Sequence, residues 1–344
     1  MKNLAYTSIS IAGILVLLYL GKGILIPFVF GLLLWFLARS LKNLFERISF
    51  VKKYFPKWIT NLLVFGVLIL GIGFVSKMLT SSISSLLTSY DSYQTNLTGV
   101  LENVNQYLHI DIFESMKSAM GSFNFSSILS EIANSISGVF SETFMIIIYT
   151  LFIFLEESSF KEKLVKIASS PENHERTNSI LNKVNTSVGD YLRLKTLVSL
   201  ITGFLSYIAL IIVGVDAPIF WAFLIFLLNY IPTIGSLIAT LFPAIFSLIQ
   251  FGELAPFITV LVAVGSIQVI IGNIVEPRIM GKSLNLSPLA TILALSLWGQ
   301  IWGIVGMILS VPITVILVIA LSQFKGSRNI ALMLSEKGDV DEMT

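Results

Sequence analysis

The chain has 344 residues, of which 55% are hydrophobic and only 12% charged, with a mean hydropathy of +0.87. A soluble chain carries about 25% charged residues, so a water-facing surface of this length cannot be coated and the solvent for most of it is lipid. The net charge of +2 offers no basic field for nucleic acid, and the absence of cysteine excludes disulfides, thiolate catalysis and cysteine metal sites.

The first apolar run, Leu4–Leu20, follows a lone Lys2. No small-x-small cleavage site follows it and a second run, Ile24–Ala38, begins at once, so it reads as a retained helix. Gly21-Lys22-Gly23 between the two predicts a tight turn and a helical hairpin. The stretch Arg39–Lys57 then carries six basic residues, Arg39, Lys42, Arg47, Lys52, Lys53 and Lys57, and a third span is predicted at Trp58–Ser76.

From Lys77 to Glu142 the chain is polar but patterned. Ile83, Leu86, Tyr90, Tyr93, Leu97, Val100, Val104 and Tyr107 advance by steps of three and four, a heptad seam suited to covering one helix face. Two partners are open to it: the stripe Ile128, Ile132, Ile136 and Val139 of the same subunit, or a second subunit. The fourth span is predicted at Phe140–Leu155. Residues 156–195 mix seven basic with six acidic residues, and Leu181, Val184, Val188 and Tyr191 give them the apolar stripe of an amphipathic helix feeding a fifth span, Thr196–Gly214.

Lys- and Arg-rich loops stay cytoplasmic. The basic stretches 39–57 and 156–195 fall on one side if two spans precede the first and two lie between them, and the intervening 78–142 holds Lys117 as its one lysine or arginine. Both termini are therefore expected in the cytoplasm.

Two later runs, 217–252 and 283–324, contain no charge and are too long for one straight span. Asn229-Tyr230-Ile231-Pro232-Thr233-Ile234-Gly235 interrupts the first, and Trp298-Gly299-Gln300-Ile301-Trp302-Gly303 the second. Folding each run back as a hairpin, crossing or re-entrant, lets Leu254–Val275 run inward and places Glu276-Pro277-Arg278 and Lys282 on the cytoplasmic side. The expected fold is thus an all-α polytopic membrane protein with two interrupted or re-entrant hairpins in its C-terminal half and an amphipathic extracytoplasmic insert. Its predicted parts are 1–76 (first hairpin, basic loop and third span), 77–142 (insert), 143–195 (fourth span and amphipathic helix), 196–324 (transport core) and 325–344 (cytoplasmic tail).

No catalytic constellation is present, so an enzyme is not expected, and neither is a metal or cofactor. His109 and His174 lie far apart in polar segments. Gly281-Lys282-Ser283 resembles the end of a phosphate-binding loop, but Glu276 stands where the first glycine belongs and no strand precedes it. Polar residues stranded in apolar surroundings are the informative ones. They are Asn229 and Tyr230 with Pro232 and Gly235 at the first break, Gln300 at the second, and Gln268, Asn273, Glu276 and Arg278 along one span. Broken helices expose dipole ends and unpaired backbone groups, which form solute sites in transporters. The competing structural reading makes Pro232 and Gly235 a kink, Asn229 a cap for freed carbonyls, and Glu276–Arg278 a surface ion pair.

Gly189-Asp190-Tyr191-Leu192-Arg193 with Lys195, Asn229 to Gly235, Glu276-Pro277-Arg278-Ile279-Met280-Gly281, Leu286-Ser287-Pro288-Leu289, Gly303-Ile304-Val305-Gly306-Met307 and Val311-Pro312 resemble, in order and spacing, the autoinducer-2 exporter family of bacterial permeases. The resemblance implies a multi-pass, homo-oligomeric transporter of the bacterial cytoplasmic membrane, and gives Asp190, Arg193 and Gly281 structural or coupling roles. Family members have been linked to export of a small polar signal and to sodium (or lithium)–proton antiport. An antiporter needs a titratable carboxylate within the membrane; Asp216, Glu253 and Glu276 all fall near predicted span ends, which tilts the reading towards a neutral, hydroxyl-rich solute. A non-transport scaffold, binding partners through its external helices and basic loops, ranks last.

Overall fold

The computed structural model describes residues 2–89, 92–100, 142–167, 171–280, 286–324, 326–336 and 338. In chain order its helices are α1 (Lys2–Leu20), α2 (Lys22–Arg47), α3 (Ser49–Tyr54), α4 (Lys57–Thr88), α5 (Thr143–Ile167), α6 (Pro171–Val213), α7 (Pro218–Leu228), α8 (Ile234–Phe251) and α9 (Leu254–Ile270), then a π-helical turn (Ile271–Val275), α10 (Glu276–Met280), α11 (Pro288–Ser322) and α12 (Arg328–Leu334). Residues 92–100 are helical as well. Among the described residues six helices are long and apolar enough to cross a membrane: Lys22–Arg47, Trp58–Thr88, Thr177–Val213, Ile234–Phe251, Leu254–Met280 and Pro288–Ser322. Large apolar side chains such as Leu70, Phe204 and Ile212 lie exposed along them. The chain is a polytopic all-α membrane protein.

The helices gather into two compact units. One comprises Met1–Ile69, Glu142–Thr196 and Ile279–Thr344, the other Leu70–Ser141 and Leu197–Arg278. The predicted 196–324 core is therefore divided, its first hairpin in the second unit and its second hairpin in the first.

In the first unit, α2 and α5 pack along their length. The Phe28 and Tyr149 rings meet edge to face at 5.8 Å, Thr150 Oγ1 donates to the Gly31 carbonyl at 3.3 Å, and Trp35 Nε1 donates to Glu157 at 3.2 Å. Residue numbers rise together along both helices, so α2 and α5 run parallel. A Cβ on Gly31 would collide with Tyr149, which explains the glycine at this crossing. Against α2, α6 runs antiparallel: Gly189 faces Phe36 while Arg39 donates to Asn185 at 2.9 Å, one turn back. These relative directions agree with the parity count made from charge alone.

Two local expectations change. Gly21 is a single-residue junction with φ −80° and ψ 2°; its N–H donates to Leu17 and its carbonyl accepts from Leu25. Helical bonds thus run into and out of it, and α1 and α2 meet at a kink rather than pairing as the expected hairpin. The basic stretch 39–57 is not a loop. α2 continues through Arg39 and Lys42 to Arg47 because Ala38 (fully buried), Leu41 and Phe45 keep an inward stripe, and α3 follows.

The seam of the 77–142 insert is partly described. Leu86, Tyr93 and Val100 are buried, and their helices pack on the 214–252 region of the same chain. Tyr93 stacks edge-on against Phe246 at 5.3 Å and donates its hydroxyl proton to Asp216 at 2.7 Å, while Asn96 donates to the Gln250 carbonyl. The described part of the seam thus covers the base of the first hairpin; the 128–139 stripe, Tyr90, Val104, Tyr107 and His109 lie outside the described residues.

Candidate functional site: two helical hairpins

The first hairpin is built from α7 and α8. At about 1.5 Å per residue, the 11 residues of α7 reach only part way through a hydrocarbon core of about 30 Å. A sharp turn leads into it, with Gly214 at φ 84° and Ala217 at φ 50°, and Pro218 supplies the preorganised first helical residue. Gln250, at the far end of α8, closes the base. Its Oε1 accepts from the Asp216 N–H at 2.7 Å and its Nε2 donates to the Gly214 carbonyl at 2.9 Å.

At the tip, Pro232 cannot continue α7, and the chain reverses through Thr233 (φ 57°, ψ −60°). The Ile234 N–H bonds the Pro232 carbonyl at 2.6 Å across Thr233, a γ-turn of the rare positive-φ kind. Gly235 begins α8 directly against the Leu228 carbonyl, where any Cβ would collide. Thr233 is a non-glycine residue in a strained conformation, held by its neighbours on both sides.

Asn229 is 7% exposed and its Nδ2 donates to Ser199 Oγ at 3.1 Å. Ser199 opens a hydroxyl row on α6 that continues through Thr202 and Ser206, all three fully buried. Gly203 within the row lets α7 approach, its Cα facing the Ala222 carbonyl and Phe226. On α8, Thr240 and Ser247 are buried, and Thr240 faces Gly265 of α9. One turn further along α9, Gln268 is 7% exposed. Thr202, Thr240 and Ser247 bond carbonyls of their own helices. Ser206 Oγ, Trp221 Nε1 and Gln268 Nε2 are buried with no hydrogen-bond partner among the described residues. A polar group in that state costs about 1–3 kcal/mol, and all three lie in the second unit.

After Ile270 the helix widens into a π-turn, and the Glu276 N–H bonds Ile271 five residues back. The proline at 277 explains it: lacking an N–H, it cannot close the ordinary ladder, and the extra residue absorbs the mismatch. Asn273 and Arg278 are exposed and Glu276 half-buried, so the structure does not gather these three around the buried hydroxyl row.

The second hairpin lies within α11. Gly303 has φ 65° and ψ −145°, a combination open to glycine alone. Residues 298 and 314 would be about 24 Å apart on a straight helix, yet Trp298 Nε1 donates to Thr314 Oγ1 at 3.3 Å, so the chain turns back on itself. Gly306 packs on the Trp298 carbonyl as Gly235 packs on that of Leu228, and again leaves no room for a Cβ. Trp302 Nε1 reaches the Leu18 carbonyl at 3.0 Å, satisfying an acceptor freed by the kink at Gly21. At the base, Ser287 caps the helix by accepting from the Ala290 N–H, and its own N–H bonds Leu334 of α12. Val188, Tyr191 and Leu192 of α6 share one core with Val311, Val315 and Ile319. Ala331 of α12 is buried in it, which ties part of the expected tail into the fold.

The remaining expected positions are peripheral. Gln300 is exposed beside the buried Trp298. Tyr230 is half-buried with its ring against Phe226 at 5.7 Å. Asp190 and Arg193 pair at 2.9 Å on the surface of α6, whereas Lys195 nearby is 6% exposed. Gly281 lies outside the described residues, and His174 sits on α6. Sequence reasoning missed Ser199, Thr202, Ser206, Thr240 and Ser247. Their helical spacing was visible, but serine and threonine in an apolar helix bond their own backbone so readily that they give little signal.

Residues 9–326 match the profile described as AI-2E family transporter. The AI-2 transport protein TqsA of Escherichia coli is 30% identical, with 94% of each chain covered. A Haemophilus influenzae protein carrying a provisional transport-protein name is also 30% identical, over 99% of this chain and 98% of its own. One of Borreliella burgdorferi, similarly named, shows 30% identity over 93% and 88%.

Proposed function

The chain belongs to the AI-2E transporter family, and from that premise we propose that it exports a small, neutral, hydroxyl-rich solute across the bacterial cytoplasmic membrane, with autoinducer-2 as the first candidate. One observation carries the choice of solute. Among the described residues, the buried polar groups of the second unit are hydroxyls, amides and an indole, and three of them, Ser206, Trp221 and Gln268, lack partners there. Such a set hydrogen-bonds a polyol-like molecule and offers no charge to hold an ion.

The tip of the first hairpin supports the same reading. Asn229 and the Ser199 row present side-chain polarity, while Tyr230, Pro232 and Gly235 shape a turn whose strained Thr233 can relax when the tip moves. Gln300 at the second tip, Asn273 within the π-turn, and Glu276 and Arg278 after it are assigned to gating. Asp190, Arg193 and Gly281 keep the structural or coupling roles that the resemblance implies. With no nucleotide-binding motif in the sequence, the driving force is a solute or ion gradient. The basic ends of α2 and α6 face the cytoplasm in this reading, the C-terminus lies there, and the protein works as a homo-oligomer; the kink at Gly21 removes the hairpin that placed the N-terminus on the same side.

The test is efflux from proteoliposomes loaded with labelled autoinducer-2 and small polyols, with and without sodium and proton gradients. Flux above empty vesicles, lost in Asn229→Ala and in Gln268→Leu, is the expected result. Flux that both substitutions leave intact would remove this path. Proton movement on sodium addition, without solute flux and abolished by Glu276→Gln, would replace export with antiport.

A further inference from the structure

We propose that the half-open cavity formed by the end of α2, α3 and the start of α4 is a binding site for the phosphodiester headgroup of an anionic phospholipid. The cavity holds about 470 Å³ and is lined by Asn43, Glu46, Arg47, Val51, Lys52, Phe55 and Thr60. Its walls come from a short, folded segment. Ile48 (ψ 114°) and Phe55 (ψ 123°) are extended and bend the chain on either side of α3, while Val51, 9% exposed, anchors α3 inward.

The chemistry is that of an anion site. Arg47 and Lys52 converge on one cavity, and among the described residues neither is ion-paired; the salt bridges found there join Arg39 to Glu157, Lys163 to Glu156 and Arg193 to Asp190. Glu46 contributes one negative charge, so the cavity carries a net charge of about +1 at neutral pH, the complement of a single phosphodiester. Asn43 adds an amide. Thr60, 2% exposed, adds a hydroxyl to the lining. Guanidinium, ammonium, amide and hydroxyl donors around one net positive charge match phosphate oxygens in number and kind.

The surroundings select a lipid over a free anion. Phe50 (62%), Tyr54 (61%) and Trp58 (67%) lie exposed around the cavity, on α3 and the first turn of α4. The Phe50 ring stacks on Tyr54 at 5.0 Å and on Phe55 at 6.0 Å. Aromatic side chains of this kind sit at the headgroup level of a bilayer. The cavity lies where two membrane-crossing helices, α2 and α4, begin and end. A headgroup seated between Arg47 and Lys52 would let its acyl chains cover the neighbouring aromatic face, and basic pockets between spanning helices hold anionic headgroups in this way.

The full-length protein in mild detergent, offered phosphatidylglycerol and phosphatidylcholine in equal amounts, tests the assignment by native mass spectrometry. The expected result is selective retention of phosphatidylglycerol, reduced about tenfold or more in the double variant R47Q/K52Q. Lys53→Gln removes one charge from α3 outside the cavity, as Lys52→Gln does within it, and is expected to leave retention unchanged. Equal retention of the two lipids, or an equal loss in Lys53→Gln, would overturn the site in favour of general surface charge. Full competition by millimolar inorganic phosphate would overturn the lipid assignment in favour of a free anion. Where the double variant unfolds, Thr60→Val takes its place, with lowered retention expected and unchanged retention against the proposal.

Discussion

The two hairpins solve one problem by different means. Each must reverse an apolar chain without leaving backbone groups unpaired in lipid, and each seats a glycine, Gly235 or Gly306, on the carbonyl of a residue seven or eight positions earlier. The first reverses through a five-residue turn whose tightest point is Thr233, a residue with a Cβ in a conformation that disfavours one. The second reverses at Gly303, where the same demand meets no side chain. The first tip is polar and strained, with Asn229 inward; the second is flanked by Trp298 and Trp302, whose ring centroids lie 5.4 Å apart and which donate to Thr314 and to Leu18. On the proposed function, the strained tip beside a buried amide is the part that moves and the aromatic-locked tip the part that stays.

The largest effects should come from what the hairpins share. Gly235→Ala and Gly306→Ala each force a Cβ into a backbone carbonyl and are expected to cost about 3 kcal/mol or more, seen as lost monodisperse yield and a lowered melting temperature. If either is tolerated, the shared close approach is not what forms that hairpin.

The contrast itself predicts opposite signs. Gly303→Ala should destabilise by about 1–3 kcal/mol, whereas Thr233→Gly should relieve strain and stabilise by about 1 kcal/mol after the added unfolded-state entropy is deducted. Thermal unfolding in detergent reads both, and two changes of the same sign would break the comparison. Removing single hydrogen bonds should matter less. Asn229→Ala and Trp302→Phe are each expected to lose about 1 kcal/mol, but only Asn229→Ala should lower solute flux, because Trp302 serves the kink at Gly21.

The smallest effect lies at the base of the first hairpin. Burial, and then the hydrogen bond to Asp216, raise the Tyr93 phenol well above its ordinary value of 10.0. The unfolded chain therefore loses this proton first, so the contribution of Tyr93 is intact below pH about 10 and falls away as pH rises towards the folded value. Tyr93→Phe should lower stability slightly at neutral pH and flatten its decline at alkaline pH. A variant that declines as steeply as the parent chain would detach this titration from the clasp.

Much of this was legible in the sequence because lipid simplifies the rules. Charge-free runs broken by Pro232 and by the Gly303 segment could only be folded back, and lysine and arginine asymmetry gave the relative directions that the α2–α5 and α2–α6 contacts bear out. Local pattern fell short where two answers share one composition. Gly21-Lys22-Gly23 looks like a turn, yet the choice between reversal and kink depended on Trp302, 284 residues away, reaching the Leu18 carbonyl. The heptad seam shows that a face is covered but not by what, and its described part found Phe246 and Asp216. The hydroxyl row on α6 was hidden because its residues are tolerated in any apolar helix.

The sequence by itself determined the solvent, the helical class and the two places where the charge-free runs break, since each follows from local hydropathy, from proline's missing donor and from glycine's conformational freedom. Only the tertiary structure decided which buried polar groups stay unpartnered, which hairpin carries strain, and which helices share a core. Those are properties of pairs of residues distant in the chain, and a periodic pattern records only that a face is buried, never the identity of what buries it.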